Sequence, residues 1–301
     1  MPELPEVETI KNDLKEKIKN KTISQIKIKN ISTVRNNLSF LKNKLKDAEL
    51  KNIKRSGKLL VFVFIKKKKE FYLLIHLKMT GQLIYCDRKN FVIGGHANSK
   101  KEKEKVNKGL FNDLCQPNKY TRLIFVFSDG SQLFFNDLRK FAYCQIVDKK
   151  QLNEILDNFG IEPGQKNYTW NNFKKIFIGR KTNIKALLLN QKLIAGIGNI
   201  YADEILFEAK INPERKVNSL NNNEIRRIFF AIQKIIKKAI KYRGTTFSNY
   251  IDPSGRKGGF SKLLKIYGRE GQRCLRCKNA TIQKIKVAGR GTRYCPNCQK
   301  L

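Results

Sequence analysis

Apolar residues near the start of the chain recur at helical spacing. Val7, Ile10, Leu14 and Ile18 share one side of a 3.6-residue period, so Pro5 to Ile18 reads as an amphipathic helix. Pro5 and the glutamates around it suit a helix N-terminus. The next apolar runs are short and bounded by charge, as strands are. LLVFVFI (Leu59 to Ile65) and FYLLIHL (Phe71 to Leu77) flank a charged turn, Lys66 to Glu70. RLIFVFS and SQLFF flank Asp129-Gly130, a hairpin signal. Beyond about residue 150 the helical period returns, near 151–159, 170–178, 183–190 and 200–209. The longest such segment, Glu224 to Tyr242, sets Ile225, Ile228, Phe229, Ile232, Ile235, Ile236 and Ile240 on one face. From Ile266 onward the chain is short, basic and cysteine-bearing. The pattern predicts an α+β protein: a β-rich region with a leading helix over 1–148, a helical region over 149–262 and a small metal module over 263–301.

Two stretches break the pattern. Residues 87–118 contain the charged run SKKEKEKVNKG and read as a long, dispensable surface-loop insertion. Residues 248–259, SNYIDPSGRKGG at Ser248 to Gly259, read as a mobile loop.

Charge changes the picture most. There are 63 Lys+Arg against 25 Asp+Glu, a formal net charge of +38, which points to nucleic acid bound in a salt-dependent way. An AT-biased genome would also enrich Lys, Asn and Ile, and charge alone cannot separate an enzyme from a passive binder. Hydrophobic residues make up 41%, enough for real cores. No run approaches the ~20 apolar residues of a membrane span, and the acidic start MPELPEVETI is not a signal peptide. A cytoplasmic, monomeric protein, nucleoid-associated when bound to DNA, is expected. Seven cysteines in such a compartment argue against a disulfide framework.

Four of the seven have another arrangement. Cys274-x2-Cys277 followed by Cys295-x2-Cys298 is zinc-ribbon spacing, and four thiolates close the shell of one structural Zn2+. Between the pairs, Ala288 to Arg293 reads as a hairpin tip where Arg290 suits a phosphate, although a solvated arginine is the plainer reading. Asn199 lies in the glycine-rich turn Ala195 to Ile200, whose N–H groups lead into a helix and suit an anion. Such a turn is by itself a weak signal. With Met1 removed, Pro2 carries a secondary α-amine, whose pKa is ordinarily about 7.7–8.0. A helix N-terminus and Lys58 nearby would lower it. Attack of that amine on a sugar C1′ yields an iminium ion, an electron sink that acidifies C2′. Glu3 and Glu6 share a side of the helix, and taken alone are ordinary first-turn carboxylates.

With these residues in view, the chain resembles the bacterial formamidopyrimidine-DNA glycosylase family along nearly its full length. The markers are PELPEVET, Gly57-Lys58, HLKMTG, NDLRKF, GRKTNIK, AGIGNIYADE, KYRGTTF, IYGREGQRC and the CxxC pairs, in that order. The resemblance implies an N-terminal β-sandwich, a helix-two-turn-helix region and a zinc ribbon. It implies a bifunctional glycosylase/AP lyase of base excision repair, acting on oxidised purines in duplex DNA, with no cofactor beyond zinc. By position, Pro2 corresponds to the Schiff-base nucleophile, Glu3 to the general acid/base and Glu6 to its support. Lys58 corresponds to the β-elimination proton donor and Arg290 to the phosphate-binding donor in δ-elimination. Met79, Arg139 and Phe141 match a wedge that fills the hole left by an everted base, though Met79 and Phe141 alone would pass for core residues. Asn199, Lys185 and His76 match phosphate contacts, and Arg180 a basic DNA-binding position. His76 alone would pass for a core histidine. The chain departs from the family where Tyr120 replaces a DNA-contacting histidine, Leu138 a usual proline and Lys78 a usual glycine. The loop at 248–259 aligns with one that covers a flipped purine but differs in sequence. Two rival readings stay open: an endonuclease VIII-like glycosylase for oxidised pyrimidines, and a non-catalytic zinc-ribbon nucleic-acid binder.

Overall fold

Helix α1 (Leu4–Ile18) starts on a reciprocal cap. The Glu3 carboxylate accepts from the Glu6 N–H, and the Glu6 carboxylate accepts from the Glu3 N–H at 2.9 Å. Its stripe Val7, Ile10, Leu14 and Ile18 is buried, as the periodicity requires. The computed structural model describes residues 1–87, 91–95, 114–245 and 259–301. All but Gly259 of the loop read at 248–259, and most of the 87–118 stretch, lie outside the described residues. The chain divides into two units, one of Met1–Leu156 with Arg243–Gly259, the other of Asp157–Tyr242 with Phe260–Leu301.

The first unit is a β-sandwich. One antiparallel sheet runs β1 (Ile23–Ile28), β7 (Thr121–Phe127), β8 (Gln132–Asp137), β5 (Gly81–Cys86), β6 (Phe91–Gly95) in spatial order. The other runs β2 (Glu49–Ser56), β3 (Leu59–Lys66), β4 (Lys69–His76), β9 (Tyr143–Val147). Inward residues of both sheets, such as Phe62, Leu73, Phe125 and Phe135, share one core with Ile10 and Leu14 of α1. Each such side chain contributes roughly 1.5–3 kcal/mol by leaving water. Helix α2 (Leu38–Leu45) adds Leu41 and Leu45 to that core, and α3 (Lys149–Leu156) follows β9.

The fold departs from the sequence pattern at two places. The stretch read as a charged loop contains β6, whose FVIGG segment pairs with β5 as an edge strand. A Cβ on Gly94 would lie 2.7 Å from Ile10 Cγ1, so glycine lets this strand lie against α1. The charged run beside it hid five residues of strand. The cysteine usage read as opposing disulfides also meets an exception, since Cys86 and Cys115 are bonded, with Cα atoms 5.8 Å apart. Both belong to one apolar patch with Ile84, Ile93 and Leu114. The fold joins Cys86, at the end of β5, to Cys115, which lies in no strand, across 29 positions, and linear spacing does not reveal this.

The second unit holds α4 (Trp170–Lys175), α5 (Ile184–Leu189), α6 (Asn199–Ala209) and α7 (Asn222–Lys241). Helix α7 opens on an Asn221/Glu224 capping box and buries the stripe read from the sequence, from Ile225 to Ile236. The hairpin β10 (Gln283–Val287) and β11 (Arg290–Tyr294) turns through Ala288 and Gly289 at φ +50° and +71°. Two successive left-handed residues are what a tight hairpin of this twist needs. Among the described residues, no helix is long and apolar enough to cross a membrane.

Candidate functional site

In the first unit, Pro2 is buried at the head of α1, Glu3 is 2% exposed and Lys58 is 6% exposed. Lys58 sits with Gly57 in the tight turn between the paired residues Ser56 and Leu59, where Gly57 takes φ +54°. The Met1 α-amine is held below its ordinary value, chiefly because burial disfavours its charge. Glu3 and Glu6 oppose that shift and Lys58 reinforces it, so all three act on the same nitrogen. Removal of Met1 would pass the free amine to Pro2, at the same end of the helix.

Glu6 has partners that the sequence reading did not assign. Its Oε2 accepts from the Glu3 N–H, and its Oε1 accepts from the Thr245 N–H at 2.7 Å and the Thr245 hydroxyl at 2.9 Å. Gly244 makes this approach possible. It takes φ +81°, and a Cβ there would lie 2.6 Å from Glu6 Oε1. Arg243 donates to Asp13 at 2.6 Å. The signal was present in KYRGTTF as a glycine followed by a hydroxyl residue.

The loop after β8 is organised by the buried Asp137. Its carboxylate accepts from the Thr80 hydroxyl, from the Arg139 N–H at 3.3 Å and from the Ala142 N–H at 2.8 Å. These bonds turn side chains outward. Met79 is 37% and Phe141 54% exposed, and the Arg139 guanidinium lies 4.7 Å from the Phe141 ring. Leu138 is exposed beside them. Exposed apolar side chains clustered around an arginine are unusual on a water-facing loop and suit insertion into a base stack. Tyr120 is half-buried, its carbonyl accepting from the Asp137 N–H. His76 ends β4, paired with Leu59 on one side and Tyr143 on the other. Burial and the charges of Lys78, Lys58 and Arg35 push its imidazole down to about 3, so it is neutral near pH 7.

In the second unit, three expected residues converge on the hairpin tip. Asn199 opens α6 and its Nδ2 donates to the Gly291 carbonyl at 3.0 Å. Arg290, next to Gly291, is exposed. Lys185 was expected at a phosphate, but the structure buries it completely. Its ammonium donates to Asp203 at 2.6 Å and to the Thr292 hydroxyl at 2.7 Å. Burial pushes the Asp203 carboxyl up to about 6 despite Lys185 beside it. Asp203 also accepts from the Arg293 N–H at 3.0 Å, and Glu204 accepts from the N–H groups of Lys265, Ile266 and Tyr267. Helix α6 thus docks the ribbon through two buried carboxylates that the sequence reading passed over. Gln191, also unassigned, braces the glycine turn by accepting from the Gly196 N–H and donating to the Ile197 carbonyl. Arg180 is half-buried and donates to the Ile176 carbonyl at 2.6 Å.

The sulfurs of Cys274, Cys277, Cys295 and Cys298 lie within 4.8 Å of one another. The Cys274–Cys298 and Cys277–Cys295 separations are 3.9 and 3.7 Å. A tetrahedron with Zn–S bonds near 2.3 Å has edges of about 3.8 Å, so the donor set fits one structural Zn2+.

A sandwich led by a proline-headed helix, a helical unit with a glycine-rich turn and a four-cysteine hairpin define the class of helix-two-turn-helix, zinc-ribbon proteins. Family models agree: the formamidopyrimidine-DNA glycosylase N-terminal domain matches residues 1–144, its H2TH domain 159–250, and the zinc finger found in FPG and IleRS 271–301. The formamidopyrimidine-DNA glycosylases of Pelotomaculum thermopropionicum and Carboxydothermus hydrogenoformans are 36% and 38% identical over the whole of both chains. Lactococcus lactis Fpg in complex with abasic-site DNA superposes with a TM-score of 0.84 at 32% identity, covering 99% of this chain and 100% of that one. The same protein bound to N7-benzyl-Fapy-dG DNA also gives 0.84 at 32% identity, covering all of both chains. The chain belongs to the formamidopyrimidine-DNA glycosylase family.

Proposed function

We propose that the protein is a bifunctional DNA glycosylase/AP lyase of base excision repair that removes oxidised purines, 8-oxoguanine and formamidopyrimidines, from duplex DNA. The observation that carries this reading is the gathering of the terminal amine, Glu3, Glu6 and Lys58 at the head of α1. The Pro2 nitrogen attacks C1′ as the C1′–base bond breaks, and the base leaves with a proton. Glu3 serves the proton transfers that open the sugar, and Glu6 holds Glu3 in place through the cap. The iminium ion acidifies C2′, whose proton is lost as the 3′ phosphate leaves, with Lys58 as proton donor. Loss of the 5′ phosphate follows with Arg290 as donor, leaving a gap with phosphate ends.

Met79, Arg139 and Phe141 fill the space of the everted base, which offsets part of the few kcal/mol that unstacking costs. His76, Asn199 and Arg180 serve the DNA backbone, and buried Lys185 serves it by holding the hairpin that carries Arg290. In this reading residues 1–148 form the catalytic module, 149–262 the helical DNA-binding module and 263–301 the ribbon. The zinc only shapes the ribbon. The protein works inside the cell, on nucleoid DNA.

Borohydride trapping on a duplex with 8-oxoguanine opposite cytosine tests the chemistry. A covalent adduct that Pro2→Gly abolishes is expected. No adduct, or equal trapping by Pro2→Gly, would sink the assignment. Oxidised pyrimidines are a second substrate class, favoured by the match to Lactococcus lactis Fpg in complex with oxidised-pyrimidine DNA, at a TM-score of 0.83. Faster release of thymine glycol than of 8-oxoguanine would make it the principal one.

A further inference from the structure

Tyr143 opens β9 and pairs with His76, and their rings stack with centroids 5.8 Å apart. The Arg35 guanidinium carbon lies 3.3 Å from the centre of the same tyrosine ring, a cation–π contact. The bridge between Val34 and Cys144 and the bond from the Arg35 N–H to the Cys144 carbonyl at 3.0 Å hold that arginine at the sheet edge. The Lys78 ammonium lies 5.7 Å from the Tyr143 ring centre. Tyr143 therefore carries two cations.

His76 is the third member. Its Nδ1 accepts from the Lys78 N–H at 2.9 Å, which leaves the ring proton on Nε2 as a donor. Lys78 takes φ +50°, a conformation that costs a non-glycine residue roughly 1–2 kcal/mol. A position that favours glycine thus carries a long cation. Among the described residues, neither Arg35 nor Lys78 has a carboxylate partner, and the charges acting on His76 are those of Lys78, Lys58 and Arg35. Like charges gathered in this way repel unless an anion joins them.

We propose that Arg35 and Lys78, held on the Tyr143 ring, form with the His76 Nε2–H a subsite for one backbone phosphate of the DNA. The guanidinium supplies parallel donors and the ammonium a point charge, as phosphodiester oxygens require. The subsite rests on the reading of the protein as a DNA glycosylase. It adds two cations and an aromatic platform to the residues assigned above.

The test is duplex binding measured between 50 and 300 mM KCl, with a tetrahydrofuran abasic analogue in the strand. The variants are Lys78→Gly, Arg35→Gln, the double variant and Lys78→Arg. Each phosphate neutralised contributes about 0.9 to the slope of log K against log salt. The double variant should lose about 0.9 of slope and roughly fivefold to tenfold in affinity at 100 mM, with the single variants in between. Lys78→Arg should keep the wild-type slope. Lys78→Gly should melt no lower than wild type, because glycine relieves the left-handed backbone. A wild-type slope in the double variant would overturn the subsite, as would a lower melting temperature for Lys78→Gly with the slope intact. Borohydride trapping of the wild type on 8-oxoguanine duplex separates the two ideas. An adduct with no slope change refutes the subsite alone, whereas a wild type that neither traps nor binds duplex refutes both.

Discussion

Replacing Gly244 by alanine probes the link between residues 243–245 and the head of α1. The added methyl group would stand 2.6 Å from Glu6 Oε1 and 2.9 Å from both Cδ and Cγ. A flexible glutamate would swing away at little cost. Glu6 cannot, because its carboxylate is held by the Glu3 N–H, the Thr245 N–H and the Thr245 hydroxyl. Alanine at φ +81° also costs roughly 1–2 kcal/mol in its own backbone. Loss of even one charge-assisted hydrogen bond adds about 1.5–3 kcal/mol. The sum is about 2.5–5 kcal/mol, or roughly 5–20 °C in Tm for a unit of this size. Differential scanning fluorimetry reads the Tm, and borohydride trapping reads the site. Gly244→Asn carries the same Cβ but tolerates the left-handed backbone, so it should recover about 1 kcal/mol of the loss. An alanine variant within about 0.5 kcal/mol of wild type, with full trapping, would refute the idea that Glu6 is locked.

Four further outcomes are expected. His76 is neutral in the folded protein down to about 3, whereas an unfolded histidine binds its proton near 6.5. The unfolded state therefore holds more protons between those values, and stability should fall as pH drops below about 6.5, by up to about 1.4 kcal/mol per pH unit. Urea titrations from pH 7 to 4 should show that slope, and His76→Gln should flatten it. Lys185→Ala strands the Asp203 carboxylate and should cost about 3–5 kcal/mol, while Lys185→Met with Asp203→Leu should restore much of it. A Lys185→Ala protein that keeps its stability and loses only salt-dependent DNA binding would return the lysine to a phosphate role. Cys298→Ser should lose zinc, by metal analysis, together with DNA affinity, and undiminished binding without metal would show that the ribbon does not present Arg290. Arg290→Ala should leave the β-elimination product on a sequencing gel while the δ product falls at least tenfold, roughly the 1.4 kcal/mol of one weakened phosphate contact. Equal δ product would move that donor elsewhere.

Much of the molecule was legible in one dimension, because the signals are local. Helical periodicity located α1 and α7 to within two residues at each end, since their buried stripes repeat within a few positions. Asp129-Gly130 announced the β7–β8 hairpin, and the CxxC spacing announced the sulfur cluster, because in each the partners are close in sequence. The grouping of the terminal amine, Glu3, Glu6 and Lys58 followed from matching motifs to a family, and the fold brings those groups within electrostatic reach.

Other features needed the fold, for one physical reason: their partners are far apart along the chain. Lys185 reads as a free cation until Asp203 and Thr292 are seen around it. Gly244 reads as a loop glycine until Glu6 is seen against it. Cys86 and Cys115 read as unpaired thiols until the fold brings them within bonding distance. Tyr143 reads as one more strand aromatic until Arg35 and Lys78 are seen over its ring. Composition and spacing determined which groups this protein has and which short-range elements they form. Burial and register over long separations decided which charges are spent inside and which are left to face DNA.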